Sequence, residues 1–190
     1  MSTRAEKFSV ISAGHGGGDV PATPRHVPHT GGAANPSAAA LQERFGAAIT
    51  RVDVINGETT VIVDRDSAHD IIAWLHDEPS QSYEYLSDVT AVEHRDVQRP
   101  IEVVWHLRSI KFRRFIRLKA LIVKGSPLAI CSVWDLYKGA DWLERECYDM
   151  FGIQFTGHPD LRRILLWEQF KEGHPLRKDF PLRGRFSRSQ

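Results

Sequence analysis

At 190 residues with 42% hydrophobic content, the chain can build one domain around a buried core, which excludes a wholly disordered protein. Its 25 basic and 24 acidic residues nearly cancel, to a net +1, which excludes a bulk polycation made for nucleic acid. Two cysteines cannot form a disulfide framework or alone ligate an iron–sulfur cluster, and the longest apolar runs, Ala120 to Val123 and Ile164 to Trp167, fall far short of the about 18–20 residues of a membrane span.

The balance of charge conceals a gradient. Residues 1–52 carry a net +2, residues 53–96 a net −9 and residues 99–190 a net +8. Two explanations stand side by side: the acidic and basic halves pair within the molecule, or different faces meet different partners.

Residues 1–34 read as a flexible tail, because Gly14, Gly16, Gly17 and Gly18 and then Pro21, Pro24 and Pro28 sustain neither helix nor strand. The tail lacks the apolar stretch of a secretory signal. Its glycines are no phosphate loop, because no Gly-Lys-Ser/Thr follows, and His15, His26 and His29 read as linker residues ahead of metal ligands. Order is expected from about Pro36, with a helix over Ser37 to Phe45 stopped by Gly46. Ile49 to Ile55 and Thr59 to Val63 flank Asn56-Gly57, the signal of a type I′ hairpin. Asp66 or Ser67 caps a helix running to Asp77, with Ala68, Ile71, Ile72 and Leu75 as its apolar stripe, and Pro79 follows it. Tyr83 to Glu93 reads as a strand. Ile101 to Arg108 and Phe115 to Val123 read as an antiparallel pair whose second member sets Arg117 and Lys119 on a wet, basic face. Trp134 to Lys138 connects to a last helix. There Asp141 and Glu144 suggest a capping box, Gly152 a left-handed stop, Leu143, Cys147 and Met150 a core stripe, and Trp142, Glu146 and Asp149 a neighbouring acidic line.

After Phe155 periodicity fades. Residues 156–190 read as an extended C-terminal arm with short turns, following an α+β domain over residues 35–155 whose mixed, mainly antiparallel sheet packs with a few helices. In the arm, Gly157-His158-Pro159-Asp160 and Gly173-His174-Pro175 repeat a Gly-His-Pro triplet, each followed by a Leu and paired cations, Arg162-Arg163 and Arg177-Lys178. Prolines limit the entropy lost on docking, and the cations offer contacts to carboxylates, which suits an arm lying in another protein's groove. Catalytic readings are poorer. His158 with Asp160, or His174 with Asp179, could be a base and its orienter, but no nucleophile elbow or activated cysteine accompanies them. Cys131, Cys147, His158 and His174 have the right types for zinc but lack close pairs. The ten acidic residues interleaved through the basic half argue against nucleic acid.

Glu144-Arg145-Glu146-Cys147-Tyr148-Asp149-Met150-Phe151-Gly152 continuing to Gly157-His158-Pro159-Asp160-Leu161-Arg162-Arg163-Ile164-Leu165, and then Gly173-His174-Pro175-Leu176-Arg177-Lys178-Asp179-Phe180-Pro181-Leu182, resemble the signature blocks of the thirty-kilodalton (C) subunit of NADH:quinone oxidoreductase, respiratory complex I. The resemblance covers roughly residues 37–183 and departs from the family at Cys147 and Trp167. It implies an α+β domain with a C-terminal extension in the hydrophilic arm of the complex. That domain packs on the forty-nine-kilodalton (D) subunit near the quinone site, close to the twenty-kilodalton (B) and twenty-three-kilodalton (I) subunits. It implies no catalytic residue, metal or cofactor in this chain, since FMN, iron–sulfur clusters and quinone belong to partner subunits. It also implies a peripheral position on the cytoplasmic face of the bacterial plasma (inner) membrane. Membrane-bound hydrogenases and the ferredoxin–plastoquinone oxidoreductase contain similar subunits and remain alternatives. By the same analogy Glu144, Arg145, Glu146 and Asp149 are expected to hold the last helix against the arm, through pairs of Glu146 or Asp149 with Arg162 or Arg163. His158, Arg162, Arg163, His174, Arg177 and Lys178 are expected to meet partner subunits.

Overall fold

The computed structural model describes residues 31–94 and 101–181; of the tail expected over 1–34, residues 1–30 with His15, His26 and His29 lie outside them, as does the end of the arm, while Gly31 is hydrogen-bonded to Val54 and Gly57 of the first hairpin. Helix α1 spans Pro36–Phe45. Asn35 starts it: its side-chain oxygen accepts the Ser37 N–H at 2.9 Å, and its side-chain nitrogen donates to the Tyr83 hydroxyl at 2.8 Å and the Phe115 carbonyl at 2.9 Å. One capping residue therefore ties the helix to the sheet. After a 3₁₀ turn over Gly46–Ala48, β1 (Ile49–Ile55) and β2 (Glu58–Val63) form the expected hairpin. Asn56 and Gly57 have φ of 52° and 79°, the positive values a type I′ turn requires.

Helix α2 (Ala68–Asp77) buries Ala68, Ile71, Ile72 and Leu75, the stripe given by its periodicity. Neither Asp66 nor Ser67 caps it through a side chain; Ser67 occupies the cap position without such a bond. Strand β3 covers Tyr85–Glu93, beginning two residues later than the pattern suggests because Tyr83 is drawn into the core. Its hydroxyl donates to Ser37, and its carbonyl accepts the Tyr137 hydroxyl. Strands β4 (Ile101–Ser109) and β5 (Arg114–Ile122) pair antiparallel as expected. Two three-residue strands, β6 (Ala129–Cys131) and β7 (Gln154–Thr156), form a small parallel sheet flanking helix α3 (Ala140–Phe151).

The main sheet has the order β1-β2-β5-β4-β3. Its one parallel contact joins β2 to β5, with Val61 opposite Leu118, while every other pairing is antiparallel. The fold is thus the α+β arrangement expected. Leu41, Ile71, Leu75, Cys147 and Met150 from the three helices share one apolar cluster with Val61, Trp105, Leu107, Leu118 and Ala120 from the sheet. Strand alternation sends Arg117 and Lys119 to the opposite face. That face is charge-balanced where a basic one was expected. Arg117 pairs with Glu58 at 2.8 Å and donates to the His106 Nε2 at 2.8 Å, and Lys119 meets Glu102 at 2.6 Å.

Candidate docking site: the clamp between helix α3 and the C-terminal arm

Beyond β7 the chain runs through turns at 155–158, 167–170, 174–177 and 177–180, and lies along α3. Asp141, Arg145 and Asp149 are spaced four apart, so they line one face of that helix. Each holds a different piece of arm. The Asp141 carbonyl faces the His158 Nε2 at 3.2 Å, while the His158 Nδ1 accepts the Asp160 N–H at 3.1 Å. The Arg145 guanidinium donates to the carbonyls of Arg162 and Arg163 at 3.2 and 3.1 Å. Asp149 then takes the donors that follow. One carboxylate oxygen meets the Arg163 guanidinium at 2.6 Å, and the other accepts the N–H groups of Ile164, Leu165 and Leu166 at 3.1, 2.9 and 2.8 Å. A cation for carbonyls followed by an anion for N–H groups satisfies an irregular backbone in both its polarities.

Burial alone would raise the Asp149 carboxyl. The three N–H groups and Arg163 outweigh it and hold the group below its ordinary value, ionised in a fully buried position.

The second arm segment closes on the end of the same helix. The last carbonyls of a helix lack intrahelical partners. Here the His174 Nδ1–H donates to the Asp149 carbonyl at 2.9 Å and the Leu176 N–H to the Met150 carbonyl at 3.1 Å. The His174 ring meets Tyr148 edge-on and covers Gly152, where an added Cβ would sit 2.7 Å from its Nε2. Gly152 also has φ of 82°, the left-handed stop expected from its position. Arg163 links the two segments through the Gly173 carbonyl at 3.3 Å. Glu93, at the end of β3, receives the Lys178 N–H and lies 3.6 Å from the Arg177 Nε.

The residues singled out in the sequence therefore divide. Arg145, Asp149, Gly152, His158, Arg163 and His174 converge on the clamp. Of the carboxylate–arginine pairs expected, Asp149 with Arg163 forms, whereas Arg162 pairs with Asp160 at 2.7 Å and Glu146 is exposed. Asp149 leaves the supposed acidic line because the arm covers it completely. Glu144 departs further. The helix begins at Ala140 behind Gly139, with no side-chain cap, so Asp141 and Glu144 form no capping box. Glu144 points inward, fully buried, and accepts the Ser132 hydroxyl at 2.5 Å and the Val133 N–H at 2.8 Å. Burial pushes it up to about 7, against the pull of those two hydrogen bonds. Gly157, Pro159, Asp160, Lys178 and Asp179 lie on the exposed side of the arm, and Pro175 and Arg177 are half-buried.

The alternative chemistries do not assemble. The Asp160 carboxylate serves Arg162, and the His174 Nδ1 serves the Asp149 carbonyl, so neither of the alternative acid–base pairs forms. Cys131 is exposed on β6 and Cys147 buried in the core, its thiol pushed up by burial. Among the described residues no three His, Cys, Asp or Glu side chains are grouped to hold a metal ion. Nor is any helix among them long and apolar enough to cross a membrane. Glu93 carries no signal in the sequence because its partner lies 85 positions away.

The molecule is an α+β domain, its sheet packed on one face by helices, with an arm clamped to its last helix. Two solved structures share the fold. A trypsin-resistant fragment of Nqo5 aligns with a TM-score of 0.56 at 24% identity, over 66% of this chain and 98% of that one. A chain of an archaeal membrane-bound sulfane sulfur reductase, a respiratory membrane complex, aligns with a TM-score of 0.59 at 22% identity, over 77% of this chain and 85% of that one. Residues 61–186 match the family described as the respiratory-chain NADH dehydrogenase 30 kDa subunit. The C 2 subunit of NADH-quinone oxidoreductase from Rhizobium etli is 40% identical, over 77% of this chain and 76% of its own, and the C subunit from Geobacter sulfurreducens is 45% identical, over 76% and 87%. The chain belongs to this 30 kDa subunit family of NADH-quinone oxidoreductase, and other subunits of that complex are its partners.

Proposed function

We propose that the chain is a non-catalytic, cofactor-free docking subunit of the hydrophilic arm of complex I. In this reading FMN, iron–sulfur clusters and quinone are bound by partner subunits. The complex passes electrons from NADH to quinone and couples that transfer to proton translocation. This chain packs on the forty-nine-kilodalton subunit near the quinone site, close to the twenty-kilodalton and twenty-three-kilodalton subunits, on the cytoplasmic face of the bacterial plasma membrane. Its link to the membrane runs through the complex alone, and it has no dealings with nucleic acid.

One observation carries the proposal: the arm is fixed on its inner side and carries large apolar side chains among the charged ones on its outer side. Leu165 is 62% exposed, Trp167 60% and Leu176 52%, although the backbone beside them is hydrogen-bonded to α3. Large apolar side chains held in place on a surface suit a protein interface, because little further ordering is lost when they dock. Deleting residues 171–190 is expected to leave a domain with a cooperative thermal transition that no longer co-purifies with the complex from solubilised membranes. Normal incorporation of the shortened chain would overturn the proposal.

A further inference from the structure

Residues 103–134 carry seven basic residues and no acidic one. Two of the seven find acids on other strands, Arg117 with Glu58 at 2.8 Å and Lys119 with Glu102 at 2.6 Å. That balance stops at the turn joining β4 to β5. Arg108, Lys111, Arg113 and Arg114 stand there together, and among the described residues none of them forms an ion pair. Glu84 lies beside the turn, but its Oε1 accepts the N–H groups of Ile110 and Lys111 at 2.9 and 3.2 Å. Three of the four cations are steadied by aromatic rings. The Arg108 guanidinium carbon lies 5.3 Å from the centre of the Phe115 ring, that of Arg114 4.8 Å from the Phe112 ring, and the Lys111 Nζ, which also donates to the Pro79 carbonyl, 5.0 Å from the same Phe112 ring. Arg108, Arg114 and Phe115 line a cleft of about 460 Å³ together with residues 33–36 and Gly57. The one carboxylate in its lining, Glu58, is committed to Arg117.

We propose that this turn and cleft dock an acidic segment of a neighbouring subunit of the complex, with Arg108 and Arg114 as its chief contacts. Like charges set close together repel, and a carboxylate from outside relieves a repulsion that the fold leaves standing. Planar guanidinium forks match carboxylates, and stacking on rings orders them beforehand, so less freedom is lost on binding. The stretches of this chain outside the described residues are poor sources of the anion. Residues 1–30 carry three basic and two acidic residues, 95–100 two and one, and 182–190 three and none. Ile110, 66% exposed, is the one large apolar side chain at the tip of the turn and gives a bilayer little to hold, which makes a membrane surface the poorer guest. The inference rests on the docking reading above and adds an electrostatic contact on the body to the apolar ones on the arm.

The experiment compares complex purified from solubilised membranes carrying the wild-type chain, the double variant Arg108→Gln/Arg114→Gln, or Arg113→Glu. Arg113 is exposed and its side chain makes no bond within the fold, so the single variant changes charge without touching the stacked pairs. A salt wash should release either variant about tenfold more readily than the wild type, with the difference shrinking at high ionic strength, where exposed charges are screened. Carbodiimide coupling of the wild-type complex should join the Lys111 amine to an aspartate or glutamate of another subunit. Both isolated variants should melt no lower than the wild-type chain. Equal release of all three chains overturns the proposal while leaving membership of the complex intact, as does coupling of Lys111 within this chain alone. Binding of the wild-type chain, but of neither variant, to phosphatidylglycerol vesicles, with equal retention in the complex, overturns it in favour of a membrane surface. A lower melting temperature for both variants assigns the cations to the fold instead. A wild-type chain that fails to co-purify at all overturns the docking reading itself.

Discussion

Two buried carboxylates on α3 respond to pH in opposite senses. Asp149 is held below its ordinary value by the N–H groups of Ile164 to Leu166 and by Arg163, so its contribution is present above the unfolded value near 3.8 and is lost as pH falls through the lower folded one. Acid should therefore release the arm. Asp149→Asn should do the same at neutral pH, because an amide cannot accept on both sides. The expected cost is about 2–3 kcal/mol, read as faster hydrogen exchange at the amides of 164–166 with exchange in β4 unchanged. Glu144 is raised from 4.5 to about 7, so the unfolded chain ionises before the folded one does. Stability should fall as pH rises from about 4.5 to about 7, by about 3 kcal/mol, and flatten above that. Glu144→Gln should abolish this slope in denaturant titrations across the window; an unchanged slope would assign it to another group.

The last helix acts as a clamp because its side chains and its exposed carbonyl end both grip the arm. Gly152 is where these meet. Gly152→Ala adds a Cβ in the left-handed region, at a cost of about 1–3 kcal/mol, and drives it against the His174 ring. Proteolysis should then cut the arm between 157 and 180 sooner than in the wild type, and combining this change with His174→Ala should relieve the clash without the backbone strain. Much of this element is legible in the sequence. The stripe of Leu143, Cys147 and Met150 marks its buried face, and Gly152 marks its end. Its start is not, because Asp141-x-x-Glu144 has the spacing of a capping box while burial of Glu144 is decided by Ser132 and Val133, a loop with no periodic signal. The β6–β7 pair is invisible for a related reason, since three-residue strands are too short to show alternation. Asp149 shows what spacing cannot convey: position puts it beside Trp142 and Glu146 on an outer line, and only the returning arm makes it interior.

Over the whole molecule, the charge gradient is partly internal. Glu58 with Arg117 and Glu93 with Arg177 join the acidic stretch to the basic one, so part of the −9 and +8 is neutralised within the fold. His106, lowered by burial and by Arg117, stays neutral and accepts the Arg117 Nε–H, which keeps the uncovered sheet face balanced. Charge stays outward on both parts: Asp66, Asp70 and Asp77 on the body are 79%, 82% and 71% exposed, and Arg162 on the arm is 62% exposed. Composition alone suggests an unremarkable domain; placing the same residues shows ion pairs joining the acidic and basic halves and an arm that keeps large apolar side chains on its surface.

The strand order also sets a timetable. The hairpin of β1 and β2 is local and can form early, but β2 finds its second neighbour only when β5 arrives, some 57 positions later in the register of Thr60 with Arg117. Until then the run Thr59 to Val63, which ends fully buried, presents an unpaired apolar edge. During synthesis the ribosome must deliver the chain through Ile122 before that edge is closed. The early hairpin is accordingly a segment in need of chaperone protection on the nascent chain, and slowing translation before β5 has emerged from the ribosome should lower the soluble yield more than slowing it afterwards.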